Sequence, residues 1–192
     1  GTMAMVSCRE QTVNDDATAT LADWQAREAE VKARGSSAGV TRPEQLTGAP
    51  GLAFFESMLD GRIPHAPISD TLGFVLVEIA AGRAVFQGKP QFAHYNPAGS
   101  VHGGWIATLL DSALACAVHS LLPSGKIYTT LEIKVNFVKP LTDRVPLVRA
   151  IGTSIFQGAR IGTAEGRLVG PDGTLYAHAS TTCLIMDARQ TQ

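Results

Sequence analysis

The chain has 192 residues, 45% of them apolar and 17% charged, with 16 Lys and Arg against 17 Asp and Glu for a formal net charge of −1. That length suits one compact domain, or one domain carrying an extension. The balanced charge contains no basic block of the kind that neutralises a phosphate backbone, which argues against a nucleic-acid partner.

Residues 1–50 read as an N-terminal extension, rich in Ala, Asp, Glu, Gln, Arg and Thr and ending near Pro43, Gly48 and Pro50. Within it, the stretch from Leu21 to Arg34 is built of strong helix formers, and Leu21, Trp24 and Val31 fall at helical spacing. This gives a thin apolar stripe, suited to packing on the domain or on a partner chain. Residues 51–188 read as the folded domain. It opens with a short helix, Gly51 to Asp60, closed by Gly61 and Pro64. A strand from Thr71 to Ile79 and another from Arg83 to Gln87 are separated by Ala81-Gly82 and form a hairpin. A long helix follows over 102–122, and four more strands are expected at about 127–138, 144–156, 159–169 and 174–186. Leu141-Thr-Asp143, Gln157-Gly158 and Gly170-Pro-Asp-Gly173 mark the turns of antiparallel pairing.

The run from Trp105 to Leu122 is interrupted only by Asp111 and His119 as charge-bearing side chains. It is not read as a membrane span, because an Asp at its middle costs roughly 2.5 to 3.5 kcal/mol on insertion and no basic anchors flank it. A helix apolar nearly all round must instead be enclosed. The economical architecture is α+β, a curved antiparallel sheet of about six strands wrapped around a central helix, with an edge strand left for a second copy. Nothing marks a secretory leader. Cys8, Cys116 and Cys183 are few and far apart, forming neither a disulfide framework nor a metal pair, so a reducing, cytoplasmic setting is expected.

The residues that bear on chemistry cluster where the long helix begins. Gly103-Gly104 costs about 1 kcal/mol per residue against alanine in a helix. At a helix N-terminus the first amides lack intrahelical partners and the macrodipole is positive, so bare backbone there can bind a developing oxyanion. Gly103 is the natural donor; the alternative is that the glycines let the helix approach the sheet. Asp111 is a carboxylate in an apolar stretch and needs a partner or a task. Gly103 and Asp111 are eight residues apart, about 12 Å along a straight helix. If both act on one atom, they come from different subunits, with two helices antiparallel about a two-fold axis. His102 and Asn96 lie beside the glycines and either hold the amide-bearing loop or touch substrate. His65, His94, His119 and His178 show no metal-ligand spacing, and no serine or cysteine sits in a nucleophile-elbow context. Thr130, judged locally, is an ordinary strand residue.

The pattern Asn-Pro-x-Gly-x-x-His-Gly-Gly, with Asp seven residues after the second Gly and then Tyr-Thr-Thr-Leu-Glu-Ile-Lys-Val-Asn-Phe-Val-Lys-Pro, resembles the hotdog-fold acyl-CoA thioesterases of the phenylacetate-degradation (PaaI-like) group over residues 68 to 186. The resemblance implies that Gly103 polarises the thioester carbonyl, with Asn96 and His102 on the same side and Gly104 beside it. It implies that Asp111 of the partner chain acts as nucleophile or general base, and that Thr130 helps position water. It further implies a tetramer built from pairs of dimers, with no metal or redox cofactor and coenzyme A as a handle of the substrate. Lys134 and Arg160, with Lys139 and Arg144, are available for its phosphates, and Phe54, Phe55 and Met58 for an apolar acyl pocket. The competing expectations are a non-catalytic acyl-CoA binding protein and a hotdog-fold acyl-thioester hydratase or dehydratase.

Overall fold

A computed structural model describes residues 2–188. Four helices come first: α1 (Thr2–Ala33), α2 (Pro43–Thr47), α3 (Gly51–Leu59) and α4 (Pro67–Leu72). A hairpin of β1 (Phe74–Ala80) and β2 (Arg83–Gly88) leads through a 3₁₀ turn at Phe92–His94 to the long helix α5 (Gly103–His119). The strands β3 (Lys126–Phe137), β4 (Val148–Gln157), β5 (Ile161–Val169) and β6 (Leu175–Asp187) complete the chain. All pairings are antiparallel, in one sheet of order β1-β2-β4-β5-β6-β3, and α5 lies against all six strands. The sheet curled around one helix is the hotdog fold, α+β as expected. Leu109, Leu110, Ala113, Leu114, Ala117 and Val118 of α5 are completely buried in it.

The expected strand start at Thr71 is corrected. Thr71 and Leu72 end α4, which opens with Pro67 at a position where a proline's missing N–H is harmless. The helix stops because Gly73 takes a left-handed conformation at φ 66°, and the Leu72 carbonyl accepts the Trp105 indole N–H at 2.8 Å. The apolar, β-branched text therefore begins its strand at Phe74, three residues late. The fourth expected strand begins at Val148 rather than 144, beyond Pro146.

The tight helix-to-sheet approach is made by the sheet's glycines. A Cβ on Gly152 of β4 would stand 2.3 Å from the Ala113 carbonyl oxygen, a backbone contact that cannot yield. For Gly103 at the head of α5 the nearest atoms belong to the Phe137 ring, and for Gly104 to the His102 ring, side chains rather than backbone.

Helix α1 is longer than the sequence suggests, and its C-terminal half lies along the hairpin. Leu21, Trp24 and Val31 are half-buried as the stripe predicts, but polar groups do most of the fastening. Arg27 Nε donates to the Val77 carbonyl at 2.8 Å. The Gln87 amide donates to the Trp24 carbonyl and to Glu28, at 3.1 and 2.7 Å. Arg149, buried, donates to Gln87 Oε1 at 2.8 Å and to Glu78 at 2.6 Å while its guanidinium lies 4.6 Å from the centre of the Trp24 ring. Among the described residues, no helix is long and apolar enough to cross a membrane.

Candidate active site

Asp111 sits two turns into α5 on the side the sheet leaves open. It is half-buried, and Thr130 Oγ1 from β3 donates to its Oδ1 at 3.1 Å. One hydroxyl thus fixes the carboxylate's rotamer while the other oxygen keeps its lone pairs. This contact explains the threonine that local reading left as an ordinary strand residue.

Asp111 and Thr130 line a cavity of about 1230 Å³ between α5, α3 and β1. Phe54, Phe55 and Met58, expected as pocket residues, all lie on its wall. Phe54 and Phe55 are buried edge to face with ring centres 5.1 Å apart, and both pack on His119, at 5.4 and 5.1 Å. The cavity wall also includes His119, Tyr128 and Cys116, none of which the sequence pointed to as site residues. Burial holds His119 neutral, with its pKa lowered to about 4. Burial also raises the Cys116 thiol and the Tyr128 phenol above their usual ranges, so both stay protonated. Apolar periodicity hid these residues, because each occupies a position that reads as core.

At the head of α5, His102 is the N-cap. Its Nδ1 accepts the Gly104 N–H at 2.8 Å, which requires the tautomer with the proton on Nε2. The Gly104 amide is thereby occupied, whereas no acceptor is paired with the Gly103 N–H among the described residues. Asn96 organises the preceding loop. Its Oδ1 accepts from the Ala98 and Ser100 amides at 2.9 and 3.4 Å, and its Nδ2 donates to Ser100 Oγ at 3.2 Å. His102 and Asn96 therefore hold the amide-bearing segment in shape. His94 stacks on Trp105 from behind, 4.9 Å between ring centres.

The structure does not bring Gly103 to Asp111 within one chain; they remain eight residues apart on one helix. Gly103, Gly104, His102 and Asn96 lie outside the cavity lining, as do Lys134 on β3 and Arg160 in the β4–β5 turn, both exposed. The cations that do border the cavity are Lys32 and Lys89, which no motif in the sequence marks. Among the described residues no cluster of three or more His, Cys, Asp or Glu is placed to hold a metal. Cys116 and Cys183 are free and buried; the side chain of Cys8 lies outside the described residues.

Known proteins share this fold. The sequence model of the thioesterase superfamily matches residues 98–177. No curated protein matches the chain. Among solved structures, a phenylacetic acid degradation-related protein of Ralstonia eutropha is 30% identical, with a TM-score of 0.62 over 68% of this chain and 98% of that one. A point mutant of the phenylacetic acid degradation protein PaaI from Thermus thermophilus is 27% identical, with a TM-score of 0.55 over 62% and 97% of the two chains. A thioesterase family protein of Silicibacter pomeroyi shares the fold at 22% identity, with a TM-score of 0.60 over 75% and 97%. In each case the part left unmatched belongs to this chain.

Proposed function

Because the chain belongs to the thioesterase superfamily, as a hotdog-fold thioester hydrolase of the PaaI type, we propose that its substrate is an acyl-CoA and that Asp111 drives the hydrolysis against the Gly103 amide of a second copy. The observation that carries this reading is Asp111 itself, a half-buried carboxylate on an otherwise apolar helix, oriented by Thr130 and facing a large cavity with apolar walls.

In the general-base route, Asp111 takes a proton from water as the water oxygen adds to the thioester carbonyl carbon. The carbonyl oxygen becomes an oxyanion and accepts the Gly103 N–H, strengthened by the positive end of α5. Collapse breaks the carbon–sulfur bond, and the proton held by Asp111 neutralises the departing coenzyme A thiolate. In the nucleophilic route, the Asp111 carboxylate attacks directly, expels the thiolate and leaves a mixed anhydride that water cleaves. A single turnover in heavy-oxygen water separates them, since only the second route leaves label in the enzyme.

The two-copy site is supported by the free edge of β3. Leu131, Phe137 and Val138 there are 56%, 57% and 55% exposed, an apolar strand edge of the kind that pairs with another chain. Antiparallel pairing of two β3 strands sets two α5 helices side by side and opposed, so each Gly103 can face the other copy's Asp111. We expect such dimers to pair into tetramers. The proposed hydrolysis uses water and this chain's own groups without a cofactor. Lys134 and Arg160, exposed, are candidates for the coenzyme A phosphates.

The test is thiol release from acyl-CoA esters by the wild type and by Asp111→Asn. Loss of an acid–base group lowers turnover by about a hundredfold to ten-thousandfold, and that loss with substrate binding retained is the expected result. Binding of the esters without thiol release by the wild type would instead identify a binding protein.

A further inference from the structure

The cavity beside Asp111 is much larger than the chemistry at its end requires. Its volume of about 1230 Å³, as a cleft open to solvent in the single chain, exceeds the roughly 300–1,000 Å³ that encloses a drug-sized ligand, so a single-ring acyl group leaves part of it unfilled. It runs from one edge of the curled sheet to the other, since β3 contributes Tyr128 and Thr130 while β1 contributes Phe74 and Leu76. At the β1 edge the wall passes to Val31 of α1, and on the β3 side to Leu46 of α2, both packed against the core.

A three-residue clasp stands at the β1 end of the cavity. Ser36 Oγ lies 2.9 Å from His65 Nδ1, and His65 Nε2 lies 2.7 Å from Asp70 Oδ1. With Nε2–H donating to the carboxylate, Nδ1 accepts the serine hydroxyl. One imidazole thus ties the segment after α1 to α4, and Gly39 N donating to the His65 carbonyl at 2.9 Å fixes the same segment through the main chain. All three side chains border the cavity.

Resting on the acyl-CoA reading above, we infer that the cavity takes a long, flexible, apolar acyl chain of the fatty-acyl class, with its carbonyl at Asp111 and its methyl end against Val31 and the clasped segment. Ser36, His65 and Asp70 are positioning residues that set where the chain stops.

The full chain is assayed on butyryl-, octanoyl-, dodecanoyl-, palmitoyl- and phenylacetyl-CoA. Burial of each further methylene is expected to raise kcat/KM by roughly threefold to fourfold over the shorter members, placing the long esters well above phenylacetyl-CoA. Val31→Trp should lower the palmitoyl-to-butyryl ratio of kcat/KM by about tenfold or more, through KM. His65→Ala should flatten the chain-length profile, and His65→Gln, which keeps a donor and an acceptor, should restore part of it. A profile that is flat, or highest for phenylacetyl-CoA, with Asp111-dependent turnover intact overturns this inference and leaves the proposed function standing. Loss of butyryl turnover in Ser36→Ala would place that serine in the chemistry and overturn the clasp. Calorimetric binding of palmitoyl-CoA, weakened by Val31→Trp but without turnover in the wild type, would uphold the cavity assignment and remove the hydrolytic one.

Discussion

Gly103 stands at the first position of α5, where the residue before it, His102, is extended at φ −61° and ψ 135°. A proline is compatible with both positions and deletes only the N–H. The added ring meets the far end of the Phe137 ring, 2.8 Å from the new Cβ, which a small rotation of that side chain relieves. Gly103→Pro is therefore expected to keep the fold, checked by circular dichroism, while lowering kcat by about a hundredfold to a thousandfold, as removal of one oxyanion donor does. His119 makes a different statement. Its folded pKa is about 4 against an ordinary 6.5, so the unfolded chain binds the extra proton first as pH falls. The stability of the neutral ring is fully present above pH 6.5 and is lost between pH 6.5 and 4, on the order of 3 kcal/mol in total. Melting curves across that window should fall more steeply for the wild type than for His119→Phe, which keeps the aromatic packing against Phe54 and Phe55.

At the scale of elements, Gly152 and Arg149, an odd number of residues apart on β4, serve opposite faces of the sheet. Gly152 admits the backbone of α5, and Gly152→Ala should destabilise the protein by about 3 kcal/mol in urea, because its methyl group has only a carbonyl to push against. Arg149 fastens α1, and Arg149→Leu should reduce hydrogen-exchange protection in residues 15–33 well before it alters α5. The order of helices and strands was legible because the apolar text of α5 and the turn residues Gly82, Gly158 and Pro171-Asp172-Gly173 are local signals. The late start of β1 was not, since Thr71-Leu72 has strand propensity and its helical state depends on the distant Trp105. Asp111 stood out by sequence as a charge in an apolar run. Thr130 stood out only through the family resemblance, because its partner is nineteen residues away and meets it only through the fold. For the same reason the hydrogen bonds of Ser36 and Asp70 to His65 carry no sequence signature.

For the whole molecule, the unpaired edge of β3 is the feature on which the proposed site depends. Leu131→Arg should shift the protein toward monomer by light scattering, with activity falling in parallel. A sharper check mixes Asp111→Asn with Gly103→Pro after subunit exchange. Each parent is inactive, but a mixed dimer regenerates one complete site, so a statistical mixture should recover about a quarter of the wild-type rate.

The placement of α1 has an outcome of its own. Glu28 bonds to Gln87 of the sheet and also borders the cavity beside Asp111, so one helix turn both roofs the hairpin and walls the pocket. A catalyst arranged this way fails in two stages on heating. Release of α1 opens the cavity at a temperature where α5 and its sheet remain intact, so residual activity should decay several degrees below the calorimetric transition of the domain. Strengthening the seam between helix and hairpin, rather than the core, would then be the way to a longer-lived enzyme.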